Sequence, residues 1–215
     1  MSTTTTTEPT TGLPTVTTVD DRLTPVGERL ARSAERLFYD RGIRAVGVEL
    51  IAEDATTTKK SLYDRFGSKD ALVTLYLRRR AETWQTRVLD RLARHPEPGP
   101  ARVLTVLDAL ESWLAEQWRG CAFVNAYAEM GGTEHPGLPV VREEKAWMRQ
   151  LFTALCAEAG YDDPDRLGGQ LHLLYEGAVV ALTAGDQADA LDLAREAAGR
   201  LLSATRGRTP AASAG

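Results

Sequence analysis

The sequence is poor in cysteine, histidine and long apolar runs, and each shortage excludes a class of protein. Two cysteines among 215 residues, Cys121 and Cys156, cannot form a disulfide framework, and the three histidines lack the spacing of metal ligands. No apolar run approaches the roughly 18 residues that a membrane span requires. The N-terminal residues carry no basic segment and no apolar segment typical of a secretory signal. We therefore expect a cytoplasmic protein with no cofactor, no metal ion and no membrane contact.

The net charge of −4 is the sum of two regions of opposite sign. Residues 22–94 hold 16 Lys and Arg against 10 Asp and Glu, whereas the rest of the chain holds 10 against 20. A basic segment joined to an acidic remainder indicates an anionic partner for the basic part. Charges on solvated helix surfaces explain the same distribution equally well, so charge alone leaves both explanations open.

Apolar residues recur at spacings of three and four along most of the chain, which predicts an all-α fold. The Pro-rich residues 95–100 interrupt this pattern and mark a domain boundary. The Thr-rich residues 1–21 and the C-terminal residues 204–215 carry little to bury, and we expect both to be disordered. Helices are expected at residues 25–41, 48–55, 59–66, 69–92, 101–118, 121–131, 139–159, 164–184 and 187–203.

The second and third of these helices, braced by the first, form the pattern of a helix-turn-helix. The third helix follows TTT and reads KKSLYDRF, which places Leu62 and Phe66 together on the core side. Hydroxyls and two lysines at a helix N-terminus suit a DNA groove, because the free N–H groups attract phosphate and lysine reaches guanine acceptors. The turn before this helix usually contains Gly, but here Thr56 takes that position. A solvated polar helix face is the alternative explanation.

The stretch Arg29–Val73 carries a more specific motif, SLYxxFGSKxxL, which begins at Ser61. With this motif the stretch resembles the DNA-binding domain of the TetR/AcrR family of transcriptional regulators. The resemblance implies an N-terminal three-helix helix-turn-helix domain (residues 22–68) and a long linking fourth helix (69–94). A helical ligand-binding and dimerisation domain (95–203) is expected to follow.

The resemblance also implies which residues contact double-stranded operator DNA. Tyr63 and Lys69 are expected on phosphates, and the remaining candidates lie at or near base edges: Thr57, Thr58, Lys59, Lys60 and Ser61. This chain departs from the family pattern at several positions. Lys60 stands where Gly is common, Asp64 where His is common, and Gly47 where a Thr or Ser helix cap is usual. The operator sequence of this chain therefore need not resemble those that familiar members of the family bind.

In this family the C-terminal domain dimerises and holds the cavity of a small-molecule effector, whose identity the residues leave open. Aromatic and polar residues of the second half supply the candidate ligand contacts: Trp113, Phe123, Asn125, Glu129, Trp147, His172, Tyr175 and Glu176. A hydrogen-bonded structural network explains the same residues. The helices near 139–159 and 164–184 carry broad apolar faces, which either pair across a two-fold axis or close the subunit's own core.

The expected function is that of a homodimeric repressor released from a palindromic operator by its effector. A ligand-independent regulator and an activator are the alternatives within the same family. A helical-bundle enzyme is a third class, although the sequence offers no Gly-rich phosphate loop and no recognisable catalytic arrangement.

Overall fold

The computed structural model describes residues 12–19, 22–117 and 119–206, and every regular element in these ranges is an α-helix. The helices are α1 (Pro25–Arg41), α2 (Val48–Asp54), α3 (Lys59–Phe66), α4 (Lys69–Ala93), α5 (Pro100–Leu114), α6 (Ala122–Met130), α7 (Leu138–Glu158), α8 (Pro164–Thr183) and α9 (Ala190–Arg206). The predicted all-α fold is confirmed. Two helices differ from expectation, since α5 ends at Leu114 and α9 runs on to Arg206. No described helix is long and apolar enough to cross a membrane.

Local capping explains where the first helices begin and end. Thr24 accepts a hydrogen bond from the Gly27 N–H at 3.2 Å, and Pro25 occupies the first turn of α1. The helix stops at Gly42, whose φ of +91° is left-handed. We call α1–α3 the head. Its side chains exposed by 2% or less include Leu30, Leu37, Ile51 and Leu62.

Two hydrophobic cores meet along α4. Its first half packs against the head, whereas its second half, from Trp84 to Leu92, packs against α5, α7, α8 and α9. The first core also contains residues of α6 and of the start of α7, such as Phe123 and Val141. Residues 95–100 separate α4 from α5, but the cores divide in the middle of α4.

The apolar faces of α7 and α8 pack into the chain's own core, which was the alternative to their pairing across a two-fold axis. Trp147 and Leu151 of α7 and Leu171 and Val179 of α8 are all at most 6% exposed. These faces are therefore not available to a second subunit. A different side of α8 remains outside, and there the side chain of Leu173 is 73% exposed.

The described part of the N-terminal segment is held against the helices. Thr15 accepts a hydrogen bond from the Trp147 indole at 2.8 Å, and the Thr17 N–H donates to the Gln85 side chain at 2.7 Å. Leu13 packs against the second core. For residues 12–19 this differs from the expected disorder, because even a Thr-rich segment offers backbone groups that buried side chains can use. Residues 1–11, 20–21 and 207–215 lie outside the described residues, and 204–206 are helical.

Candidate nucleic-acid interface

One side of helix α3 packs against the core of the head, and its other sides face solvent. Leu62 is fully buried in the head core, and Phe66 is partly buried beside it. On the open sides Thr58, Lys59 and Lys60 are exposed, and the Tyr63 side chain is 42% exposed. Thr57 and Ser61 are half-buried. The structure thus groups six of the seven predicted DNA contacts on α3 and the turn before it.

The start of α3 is fixed by its own side chains. The Thr58 hydroxyl accepts a hydrogen bond from the Ser61 N–H at 3.1 Å and lies 3.1 Å from the Ser61 hydroxyl. The lysines that follow extend from a helix end whose dipole and remaining N–H groups favour anions. This end of α3 therefore combines donors and positive charge where a phosphate or a base edge can approach.

Both lysines of α3 are paired at the surface with acidic side chains. Lys59 donates to Glu49 of α2, and Lys60 donates to Asp64 at 2.7 Å one turn further along. The Lys60 side chain is 83% exposed and that of Asp64 is 57% exposed. Exposed pairs of this kind contribute little to stability, so an incoming phosphate can replace the carboxylate at small cost.

Lys69 has a hydrogen-bond partner within the head. Its ammonium donates to the Ile43 carbonyl at 2.6 Å and lies 6.0 Å from the centre of the Phe38 ring. Burial lowers the pKa of this lysine. Lys69 thus ties the first turn of α4 to the loop between α1 and α2, and only its remaining donors are available to a phosphate.

The turn between α2 and α3 carries backbone strain. Thr56 has a φ of +52°, in the left-handed region that β-branched residues rarely adopt. This is the position where the sequence pattern leads one to expect Gly. The chain therefore forms the helix-turn-helix geometry although its turn residue disfavours it.

Comparisons with known proteins agree with this geometry. Residues 30–75 match the family model described as bacterial regulatory proteins of the tetR family. A TetR transcriptional regulator from Streptomyces avermitilis, known from a crystal structure, is 31% identical, with 86% of this chain and 99% of that chain covered and a TM-score of 0.67. The chain belongs to the TetR family. It is therefore a DNA-binding transcriptional regulator, and an enzyme built on the same bundle is excluded.

Two further relatives of this TetR-family chain come from Streptomyces and Mycobacterium. The crystal structure of a TetR-family regulator from Streptomyces coelicolor is 29% identical, with 84% of this chain and 95% of that chain covered and a TM-score of 0.74. An uncharacterised HTH-type transcriptional regulator of Mycobacterium tuberculosis is 24% identical over 159 residues, which are 64% of this chain and 78% of the relative. The likeness thus extends well beyond the helix-turn-helix.

The second half of this TetR-family chain contains a narrow cavity between α4, α5, α7, α8 and the start of α6. The volume of this cavity is about 30 Å³, which is room for about two water molecules. Its wall combines aromatic, charged and small or aliphatic residues: Arg80, Trp84, Leu110, Trp113, Leu114, Gly120, Cys121, Ala122, Phe123, Glu144, Lys145, Tyr175 and Val179. Any effector of more than water size must widen this cavity.

Three of the eight predicted ligand residues, Trp113, Phe123 and Tyr175, line this cavity. The other five lie outside its lining: Asn125, Glu129, Trp147, His172 and Glu176. Four of the five form hydrogen bonds within the described residues, whereas the buried Nε2 atom of His172 forms none there. The Asn125 amide donates to the Arg119 carbonyl at 2.8 Å, and the Trp147 indole donates to Thr15.

Sequence reasoning missed Glu144 and Lys145, which do line the cavity. The Lys145 ammonium donates to both carboxylate oxygens of Glu176, at 2.8 and 2.9 Å, and lies 3.4 Å from the Cys121 sulfur. His172 lies 3.3 Å from the same carboxylate. The signal for Glu144 was present in the sequence, since it lies three residues after Val141 on the apolar face of α7.

Helix α6 connects the cavity to the head. Phe123 at its start lines the cavity, and Glu129 near its end accepts hydrogen bonds from the backbone N–H groups of Ile43 at 3.0 Å and Arg44 at 2.6 Å. Gly42 makes this approach possible, because a Cβ there would lie 2.9 Å from a Glu129 carboxylate oxygen. Glu129, predicted as a ligand contact, instead holds the loop between α1 and α2.

A second connection joins the same two regions just before α6. The Arg119 backbone N–H donates to the Tyr39 hydroxyl at 2.9 Å, and the Arg119 guanidinium donates to the Tyr39 carbonyl at 2.7 Å. The following residues, Gly120 and Cys121, belong to the cavity wall. The segment from Arg119 to Glu129 is therefore bonded to the head at both ends. Arg119 contacts α1, and Glu129 contacts the loop after α1.

Proposed function

We propose that this TetR-family regulator is a homodimeric cytoplasmic repressor, released from a palindromic operator when a small-molecule effector enters the cavity. The connection through α6 carries this proposal, because one short helix both lines the cavity and bonds to the head. An effector that widens the cavity by displacing Phe123 also moves the carboxylate of Glu129. The head then changes its position relative to α4.

On DNA, α3 enters the major groove, and the two recognition helices of a dimer reach grooves one turn apart, roughly 34–36 Å. Thr57, Thr58, Lys59, Lys60 and Ser61 lie at or near base edges. Tyr63 and the free donors of Lys69 hold phosphates. Since Lys60 extends furthest into solvent, we expect Lys60→Gly to change which operator bases are preferred, and selection of bound sequences measures this change.

The dimer forms through the outer side of α8 together with α7. Leu173 and Val180 are 73% and 48% exposed there, and Gly177 between them has open space in place of a side chain. An apolar strip with a glycine at its centre suits a close helix–helix contact across a two-fold axis. Sedimentation should show that Leu173→Arg makes the chain monomeric and lowers operator affinity. Leu193→Arg on α9, where Leu193 is 48% exposed, is the matched control.

The operator itself can be found by mapping bound genomic sites and selecting sequences in vitro. A palindrome with half-sites one helical turn apart, bound with a steep dependence on salt, is the expected result. Transcription from that operator should rise when the regulator is deleted. A fall on deletion makes the protein an activator, and an operator affinity that no compound taken up by the cell alters makes it a ligand-independent regulator.

The release mechanism requires only a modest energetic bias. An effector that binds the displaced arrangement of α6 more tightly shifts the population of dimers away from the DNA-binding spacing. The effect on operator affinity equals the difference in effector affinity between the two arrangements. Because the cavity is narrow as it stands, the widened arrangement is the one that the effector favours.

A further inference from the structure

Glu144 occupies an unusual position in the cavity wall. Its side chain is 3% exposed, and its Oε2 atom finds no hydrogen-bond partner among the described residues. Burial raises the pKa of this carboxyl to about 7. A buried carboxyl oxygen without a donor is costly, and such an oxygen in a cavity wall is satisfied by a ligand that brings a donor.

The cationic groups of the same wall already have partners. The Lys145 ammonium is held by both carboxylate oxygens of Glu176. The Arg80 guanidinium donates to the Gln117 side chain at 2.9 Å and lies 4.4 Å from the centre of the Tyr39 ring. An anionic ligand would compete with these partners, whereas a donor or a cation finds the free oxygen of Glu144.

The rest of the wall favours an aromatic ligand. The Trp84 and Trp113 rings lie 5.6 Å apart between centres, and the Trp84 and Tyr175 rings lie 6.4 Å apart. Ring faces stack on planar molecules and attract cations, most strongly where water is excluded. The cavity admits a molecule of one or two fused rings only after these side chains separate.

We propose that the effector is an aromatic amine whose ammonium group binds Glu144 and whose rings lie among Trp84, Trp113 and Tyr175. This inference rests on the proposed function, in which the effector enters this cavity. The ammonium replaces the proton of Glu144 as the group that neutralises the buried carboxylate, so the ion pair forms without an uncompensated charge. Glu144 alone then makes a cation bind more tightly than a neutral molecule of the same shape.

Three probes of nearly equal shape test this: 2-(aminomethyl)naphthalene, 2-naphthalenemethanol and 2-naphthoic acid, titrated by calorimetry into the full-length dimer. We expect the amine to bind wild type at least about tenfold more tightly than the alcohol, and the acid to bind most weakly. Glu144→Gln should abolish the preference for the amine and leave the alcohol's affinity within about threefold. Glu143→Gln, an exposed neighbour on α7, should retain the preference.

Three outcomes overturn the inference: the acid binds as tightly as the amine, the preference for the amine survives in Glu144→Gln, or the amine shows no saturable binding up to millimolar concentration. Operator binding of the same samples separates this result from the proposed function. Operator affinity is measured without any probe for wild type and for Glu143→Gln, whose side chain is exposed and outside the cavity wall. Failure of wild type to bind any selected DNA defeats the proposed function, while the comparison of the three probes still decides the effector class.

Discussion

The head and the second half of this chain, from α5 onwards, differ in where their charged side chains lie. In the head the lysines of α3 are exposed, each paired with an exposed carboxylate, and the buried polar side chain among the described residues of the head is Ser33. In the second half Glu144 is buried in a cavity wall beside Lys145. Both halves are helical and densely packed, so the difference lies in where the charges are kept.

This difference corresponds to two kinds of recognition. Exposed cations exchange a carboxylate for a phosphate at little cost, which gives DNA binding that is strong, salt-dependent and tolerant of sequence until base edges are contacted. A buried carboxyl accepts few partners, because an ill-matched ligand leaves it desolvated and unpaired. The head is therefore suited to a polyanion, whereas the proposed ligand of the cavity is one class of small molecule.

The largest expected effect concerns the pH dependence of stability. The pKa of Glu144 is about 7 in the folded chain against 4.5 for an ordinary glutamate, so the folded state binds more protons between these values. Stability is therefore lost as pH rises from about 4.5 to 7. Relative to wild type, Glu144→Gln should gain about 2.5 kcal/mol in free energy of unfolding between pH 5 and pH 8.

Urea unfolding at the two pH values measures this gain, and a comparison between variants cancels the titration of the surrounding groups. Those groups are Lys145, Glu176, Tyr175, Cys121 and Arg80. Glu143→Gln should follow wild type at both pH values. If the free energy of unfolding of Glu144→Gln changes with pH as that of wild type does, a buried titrating carboxyl does not distinguish the two halves.

The next effect tests the exposed charges of the head. Replacing Lys59 and Lys60 together by Ala should lower affinity for all DNA by about 10- to 100-fold at low salt and reduce the slope of log affinity against log salt by about 2. Fluorescence anisotropy over a salt series measures both quantities. Arg200→Ala on α9 removes a cation from an exposed pair one turn apart, like that of Lys60, and should change neither. An unchanged slope in the double variant would show that these two lysines do not neutralise DNA charge, which contradicts their proposed place in the groove.

A smaller effect is expected where the two halves are joined. Glu129→Gln keeps one acceptor but loses the charge in the bonds to Ile43 and Arg44, which should cost about 1–2 kcal/mol of stability and weaken operator binding severalfold. Chemical unfolding and anisotropy measure the two losses. Glu134→Gln removes an exposed acid from the same region and serves as control. Equal behaviour of the two variants would show that α6 does not hold the head.

Sequence periodicity and capping were sufficient for the helices, because Thr24, Ser68 and Gly42 act through neighbours in the chain. Contacts between distant segments were harder to foresee. Asn125 and Glu129 were placed correctly on one face of α6, but that face meets α1 and not the cavity. Nothing local to the Thr-rich segment indicates that Thr15 accepts a bond from an indole 132 positions away. Such pairings depend on how helices pack, which a single pattern does not specify.

The smallest effect concerns the strained turn of the head. Thr56 is exposed and left-handed, so its side chain contributes little packing, while its Cβ opposes the backbone conformation. Thr56→Gly should raise the free energy of unfolding by about 0.5–1 kcal/mol, since relief of strain exceeds the added entropy of the unfolded chain. Asp186, with a φ of +51°, is the control, because Asp tolerates this region better and Asp186→Gly should gain less. Operator affinity should stay within about threefold, as Thr56 precedes the predicted contacts. A loss of stability in Thr56→Gly would contradict this balance. It would mean that the entropy that Thr56 removes from the unfolded chain outweighs the backbone strain that it adds to the folded turn.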